Sequence, residues 1–502
     1  MSSAFWSSRI GLRLSTLLMP PLGFVILWLS PQRLPRKLLG TLGILLYSLV
    51  YTALIIWVLI ETTGLQVEWR GGYVPALTYH KTVPNYEAVE RHRASHSSAS
   101  SVSDASTLQR FNTPTQQTYW TGFRGPNRDG HYDQQPISTN WPASGLPLLW
   151  RQPCGGGYGS FCAAGGLAFT IEQRRENEVL AAYDLQTGHE QWTYAWRAFF
   201  SESMGGDGPR STPTYDEQKI YALGAEGDLS CVDALKGKLL WSKNILADNQ
   251  TGNLTYGMAG SPLIVEEKLI IEPGGPNGET VVAYNKLNGA PIWKSLDDGA
   301  AYSSPMLVTL AGQRQILIVT ATRAVGLAIE DGKLLWEFPW VVKFDNRNIA
   351  QPIMVSSNRF FLSASYNTGC AMVEVSRTDG AFSARTLWQN KAMKNKFASS
   401  VFWQGHLYGL DEDMLCCINA QNGERKWKQG RYDYGQLLLA SGNVVILSGA
   451  GELALVSANP ERYEELARFQ AIHGKTWNVP AIAEGKLLVR NAVEMACFAL
   501  GR

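Results

Sequence analysis

The chain has 502 residues, 45% of them hydrophobic and 18% charged, with a formal net charge of +2. So small a surplus excludes the strongly basic surface of a nucleic-acid-binding protein. The excesses are 17 Trp and 48 Gly, which together point to many tight turns and many large aromatic packing units, an all-β composition.

Two apolar stretches come first. Residues 14–32 are uncharged but broken by Pro20-Pro21, and read as a kinked span or a re-entrant arm. Residues 38–60 carry no charge and make enough helix to cross a hydrocarbon core roughly 30 Å thick. The loop between them holds Arg33, Arg36 and Lys37, whereas 61–72 holds one Arg and two Glu. That bias places the loop in the cytoplasm and everything after about Glu61 outside. Residues 1–60 are therefore expected to be a membrane anchor. Residues 61–118 include the Ser- and Ala-rich run 93–111 and read as a flexible tether. The folded domain, 119–502, is expected to open near Tyr119-Trp120.

From there one unit recurs. "YDLQTGHEQW" (183–192), "VDALKGKLLW" (232–241), "YNKLNGAPIW" (284–293) and "INAQNGERKW" (418–427) share a turn with Gly four residues before Trp, and worn copies end at Trp336 and Trp388. An Asp or Asn side chain can cap such a turn, Gly supplies its positive φ, and Trp is a large wedge on the strand that follows. A small-polar-Pro step starts each inner strand, as in "STP" (211–213), "GSP" (260–262) and "SSP" (303–305). Trp192, Trp241, Trp293, Trp336, Trp388 and Trp427 lie 39–52 residues apart, the period of a four-stranded propeller blade.

A seventh unit ends with Phe469 in the Trp place, and an eighth supplies only three strands before the chain stops. Residues 146–152 carry Trp150 in an orphan outer-strand pattern and can close the ring. The expected fold is an eight-bladed β-propeller of four-stranded blades, closed by an N-terminal strand and preceded by an α-helical membrane anchor. The Trp residues, Trp150 included, are read as structural. Cys231, Cys417 and Cys497 share one repeat position and are read as small buried residues. The sequence leaves open whether Cys416–Cys417 or Cys154–Cys162 form disulfides.

The repeat resembles the PQQ-like propeller superfamily over roughly 119–500. The stretches "YWTGFRGPNRDG" (119–130), "GDGPRSTP" (206–213) and "YSSP" (302–305) are similar to bacterial PQQ-binding-like repeat proteins. The resemblance implies one of two classes, quinoprotein dehydrogenases or non-catalytic propellers similar to the assembly lipoprotein BamB. A dehydrogenase would hold PQQ with Ca²⁺ and oxidise an alcohol or sugar. No CxxCH haem motif and no transferable Glu, Asn and Asp set is found, and Cys416–Cys417 falls inside a strand. The expectation is therefore a non-catalytic binding or scaffold protein, with no catalytic residues, metal or cofactor, and the PQQ-dependent dehydrogenase as the alternative. The first Cys is Cys154, so the helical anchor replaces a lipid anchor. The expected place is the bacterial inner membrane, with the propeller facing the periplasm or the exterior.

Expected partners are the membrane, through the N-terminal helices, and a protein or a small ligand in the central funnel, without nucleic acid. The residues three before each inner strand are Arg210, Tyr302, Tyr434 and Trp477, with Asp207 and Asn348 close by. An Arg among aromatics facing one cavity suits an anionic, ring-shaped or sugar-like molecule.

Overall fold

A computed structural model describes residues 9–63, 66–68, 76–78, 84–96, 120–343 and 347–501. The chain divides into two compact units, 1–68 with 75–81, and 69–74 with 82–502. In the first, helices α1 (Arg9–Leu18) and α2 (Pro20–Leu29) precede a long helix α3 (Leu34–Thr63). The break at Met19 follows from Pro20 and Pro21, which fit the first turn of α2 where their missing N–H groups are not needed. Leu27 packs on Gly40, and the Trp28 indole donates to Thr41 Oγ1 at 3.0 Å. Leu34–Ile60 is long and apolar enough to cross a membrane.

The second unit is the propeller. Seven antiparallel four-strand meanders span 162–197, 214–244, 263–295, 306–339, 353–390, 401–431 and 436–470. The eighth blade joins Ala481–Ala483, Lys486–Arg490 and Glu494–Ala499 to the early strand Leu148–Pro153. The closing register sets Cys497 opposite Trp150 and Glu494 opposite Pro153.

Six of the eight blades are locked to the next by a tryptophan. The Asp184 carboxylate accepts from the backbone N–H groups of Gln186 and Thr187, which fixes the turn. Gly188 has φ +74°, and a Cβ there would lie 2.6 Å from the Trp150 ring of the preceding blade. The Trp150 indole also donates to Leu185 O at 3.2 Å. Trp192, Trp241, Trp293, Trp388 and Trp427 repeat that bond onto Ala234, Lys286, Ile329, Ala420 and Asn459 of the following blade. Trp336 differs because the next blade replaces the short turn with a long hairpin, Gly369–Thr378 to Ala381–Asn390. Its indole bonds Gln315 in its own blade and packs on Phe360.

A small residue faces most of these rings across the ladder, as Ala182, Cys231, Ala283, Gly326 and Cys417 do. Burial pushes the Cys231, Cys417 and Cys497 thiols up to about 12, so they pack as small apolar groups. Cys416 and Cys417 point into different inter-blade cores. All seven cysteines are free and buried, which settles both possible disulfides in the negative.

The stretch expected to be a flexible tether contains helix α4 (Tyr86–His96), seated on the propeller. Arg175 holds Glu90 through two bonds of 2.7 and 3.0 Å, Arg93 donates to Glu190, and Tyr86 OH donates to Asp207. Glu87 in its first turn and Arg93 in its last suit the helix dipole. The Ser-rich composition around it hides this signal. Residues 64–65, 69–75, 79–83 and 97–118 of that stretch lie outside the described residues.

Candidate functional site

The stretch "WTGFRGPNRDG" (120–130) crosses the channel between the blades. Trp120 O accepts from Ala163 N in the first blade, and Thr121 O from Tyr215 N in the second. Arg128 donates to Ser261 O at 2.8 Å, to Pro305 O at 2.9 Å and to Pro262 O, beside the third and fourth blades. Arg124 donates to Ser400 O at 2.9 Å and Leu437 O at 3.1 Å, at the sixth and seventh. His131–Tyr132 then adds a parallel strand to the seventh blade. Burial holds both guanidiniums below their ordinary range, to about 10 for Arg124 and about 9 for Arg128. The segment is a plug, and its Phe123 forms part of the lining of a cavity of about 170 Å³.

That cavity is the funnel. Its wall is built by register: the residues just before the inner-strand steps are Tyr158, Arg210, Ala259, Tyr302, Ile349, Phe397 and Trp477, and all line it. Aromatic rings follow one another around it. Tyr158 lies 5.3 Å from Trp477, Trp477 4.6 Å from Phe397, and Tyr256 5.9 Å from Tyr302.

Cations sit on these rings. Arg347 is 4.6 Å from the Tyr256 centroid, Lys475 is 4.8 Å from Trp477, Lys396 is 4.9 Å from Tyr434, and Arg210 is 5.6 Å from Tyr158. Each distance is within the range of a cation–π attraction. Burial lowers the affinity of Lys396 and Arg210 for their protons, because desolvation penalises the charged form. The acidic lining residue is Glu202, which accepts from Arg210 at 3.1 Å and from Met204 N at 2.7 Å.

Of the residues expected at the funnel, Arg210, Tyr302 and Trp477 line it. Tyr434 stands behind the wall, 6.3 Å from Phe397. Asn348 and Asp207 are outside the lining. The Asn348 amide is buried and bonds Thr320 O, Ala321 O and Trp340 O, a backbone brace, and Asp207 receives Tyr86 of α4. Sequence reasoning missed Tyr158, Phe397, Arg347 and Lys475. The first two stand before "GSF" and "ASS", steps that have lost their Pro.

A calcium ion needs six to eight oxygen ligands. Among the described residues the lining offers one carboxylate, already matched by Arg210 beside a further cation, Arg347, and this set does not fit that ion. Among the described residues no group of three His, Cys, Asp or Glu is placed to hold a metal.

Residues 176–429 match the protein family described as outer membrane protein assembly factor BamB. A 1-butanol dehydrogenase (cytochrome c) of Thauera butanivorans is 27% identical over 99 residues, covering 19% of this chain and 14% of that enzyme's length. Among solved structures, the quinohemoprotein alcohol dehydrogenase of Comamonas testosteroni aligns with a TM-score of 0.52 at 13% identity, over 82% of this chain and 85% of the other. BamB of Moraxella catarrhalis aligns at 0.49 and 15% identity, over 70% of this chain and 97% of its own.

Proposed function

The chain belongs to the family of outer membrane protein assembly factor BamB, and from that premise we propose that it is a non-catalytic binding propeller, tethered to a membrane and facing away from the cytoplasm. The observation that carries the reading is the funnel: aromatic rings bearing cations, above a floor closed by the chain's own plug. Such a wall attracts an anionic ligand with a flat face, either a small molecule or the end of a partner. The rival is a PQQ-dependent dehydrogenase oxidising an alcohol or sugar, which the shared fold and the quinoprotein relatives support. When bound, PQQ would supply the redox chemistry; Trp477 and the cations suit its rings and carboxylates, but the lining does not suit its metal.

PQQ itself is the probe that separates the two. Added to the full-length protein in detergent, it is expected to quench tryptophan fluorescence equally with and without Ca²⁺. No dye should be reduced with alcohols or aldose sugars. Trp477→Ala should weaken binding about tenfold, the worth of one ring stack with its cation. Calcium-dependent binding with substrate-dependent dye reduction would overturn the binding reading in favour of the enzyme.

The tethering half rests on α3 and on Arg33, Arg36 and Lys37 before it. A Ser100→Cys variant in intact cells is expected to react with a membrane-impermeant thiol reagent, against a background of buried native cysteines. Labelling only after the membrane is disrupted would reverse the orientation.

A further inference from the structure

Helix α4 covers the seam where the last blade meets the first. Three imidazoles gather there. The His92 and His96 rings lie 4.2 Å apart, and His96 lies 5.5 Å from His189 on the first-blade turn. His92 Nε2 is 3.3 Å from Gln152 Oε1 on the closing strand. The acids nearby are already matched by arginines. Glu190 receives Arg93 at 2.8 Å and Arg174 at 2.7 Å, and Arg174 also holds Glu172. Glu90 pairs with Arg175 and Glu87 with Arg91. On the closing strand Arg151 pairs with Glu494. Imidazolium charges added to this cluster would meet one another; Glu190 already faces two guanidiniums, and Asp184 on the His189 turn is held by the N–H groups of Gln186 and Thr187.

We propose that α4 is an acid-released latch on the funnel: it is seated while His92, packed among the other two imidazoles, is neutral, and leaves the seam on acidification. The coupling to the funnel runs through the head of the helix. Tyr86 OH donates to Asp207 at 2.7 Å, and Asp207 pairs with Ser201 in a short hairpin whose Glu202, Met204 and Gly205 line the cavity. Release of the helix frees that hairpin. The regulatory meaning rests on the binding reading above, whereas the latch itself does not.

Burial and the neighbouring His96 and His189 hold His92 below the usual imidazole value, against the bond to Gln152 and the charge of Glu190. The seated helix therefore binds fewer protons than the released one. Seating is complete above the ordinary value of about 6.5 and is lost as pH falls below it.

The test is hydrogen exchange on the full-length protein in detergent at about pH 7.5 and about pH 5, on either side of the imidazole range and corrected for intrinsic rates. Protection of 86–96 is expected to fall about tenfold or more on acidification, and that of 201–207 to fall with it. The triple variant His92→Gln, His96→Gln, His189→Gln should keep its protection at the lower pH. Arg175→Ala, which breaks the Glu90 pair but touches no imidazole, should lower protection at both pH values by the same factor. Equal protection of the parent at both pH values, or an equal acid loss in the triple variant, would overturn the latch. Because no ligand is used, an empty funnel would leave this result unaffected.

Discussion

Trp150→Ala is expected to destabilise the propeller by about 3–5 kcal/mol, the usual cost of emptying a large aromatic site in a packed core. The ring is 8% exposed, lies on Gly188 of the next blade, and bonds Leu185 O. The same substitution at Trp241 should cost a similar amount through the same contacts, Gly289 and Lys286 O. The two differ in cooperativity. Trp150 sits where the ring is closed by a strand from the far end of the sequence. Loosening it exposes the edges of both the eighth and the first blade, and neighbouring blades then lose their mutual support in turn. Melting followed by circular dichroism should show a lower and broader transition for Trp150→Ala, and a lower but still sharp one for Trp241→Ala. A Trp150→Ala protein that melts as high and as sharply as the parent would mean that this strand does not close the ring.

The blade count and the closure were legible because they depend on local chemistry that repeats. An Asp or Asn cap, a Gly at positive φ and a Trp four residues on can be read in any one unit, and the orphan Trp150 then has one place to go. The receiving partner of each Trp was not legible, because a local pattern does not say which blade lies beneath the ring. Trp336 shows the limit: its own unit is nearly regular, but the following blade has a long hairpin in place of the turn. Helix α4 was lost to averaging, since "NYEAVERHRASH" (85–96) borders a long Ser-rich run. The funnel was half legible. Where the Pro step survives, as after Arg210, Tyr302 and Trp477, the register could be counted. Where it has decayed, the aromatic before it went unnoticed.

The plug was the least legible element, because two arginines in a Gly- and Pro-rich stretch carry no sign of burial in the sequence. In the structure Arg124 is 1% and Arg128 4% exposed, with backbone φ values of 59° and 58°. A non-glycine residue held in that left-handed region costs on the order of 1 kcal/mol and persists only where the surroundings over-determine it. Here the surroundings are inner-strand carbonyls gathered from the third and fourth blades onto Arg128 and from the sixth and seventh onto Arg124. Arg128→Met keeps much of the side-chain length but removes every donor, leaving the carbonyls of Ser261, Pro262 and Pro305 unmatched. The expected loss is about 3–5 kcal/mol, the scale for removing one side of a buried charged network. Arg128→Gly separates bond from strain: it relieves the backbone and still loses the donors, so it should be nearly as unstable as Arg128→Met. Chemical denaturation of the two variants beside the parent checks both values. If the glycine variant were as stable as the parent, the guanidinium bonds would contribute nothing beyond offsetting their own strain, and the plug would not hold the blades together.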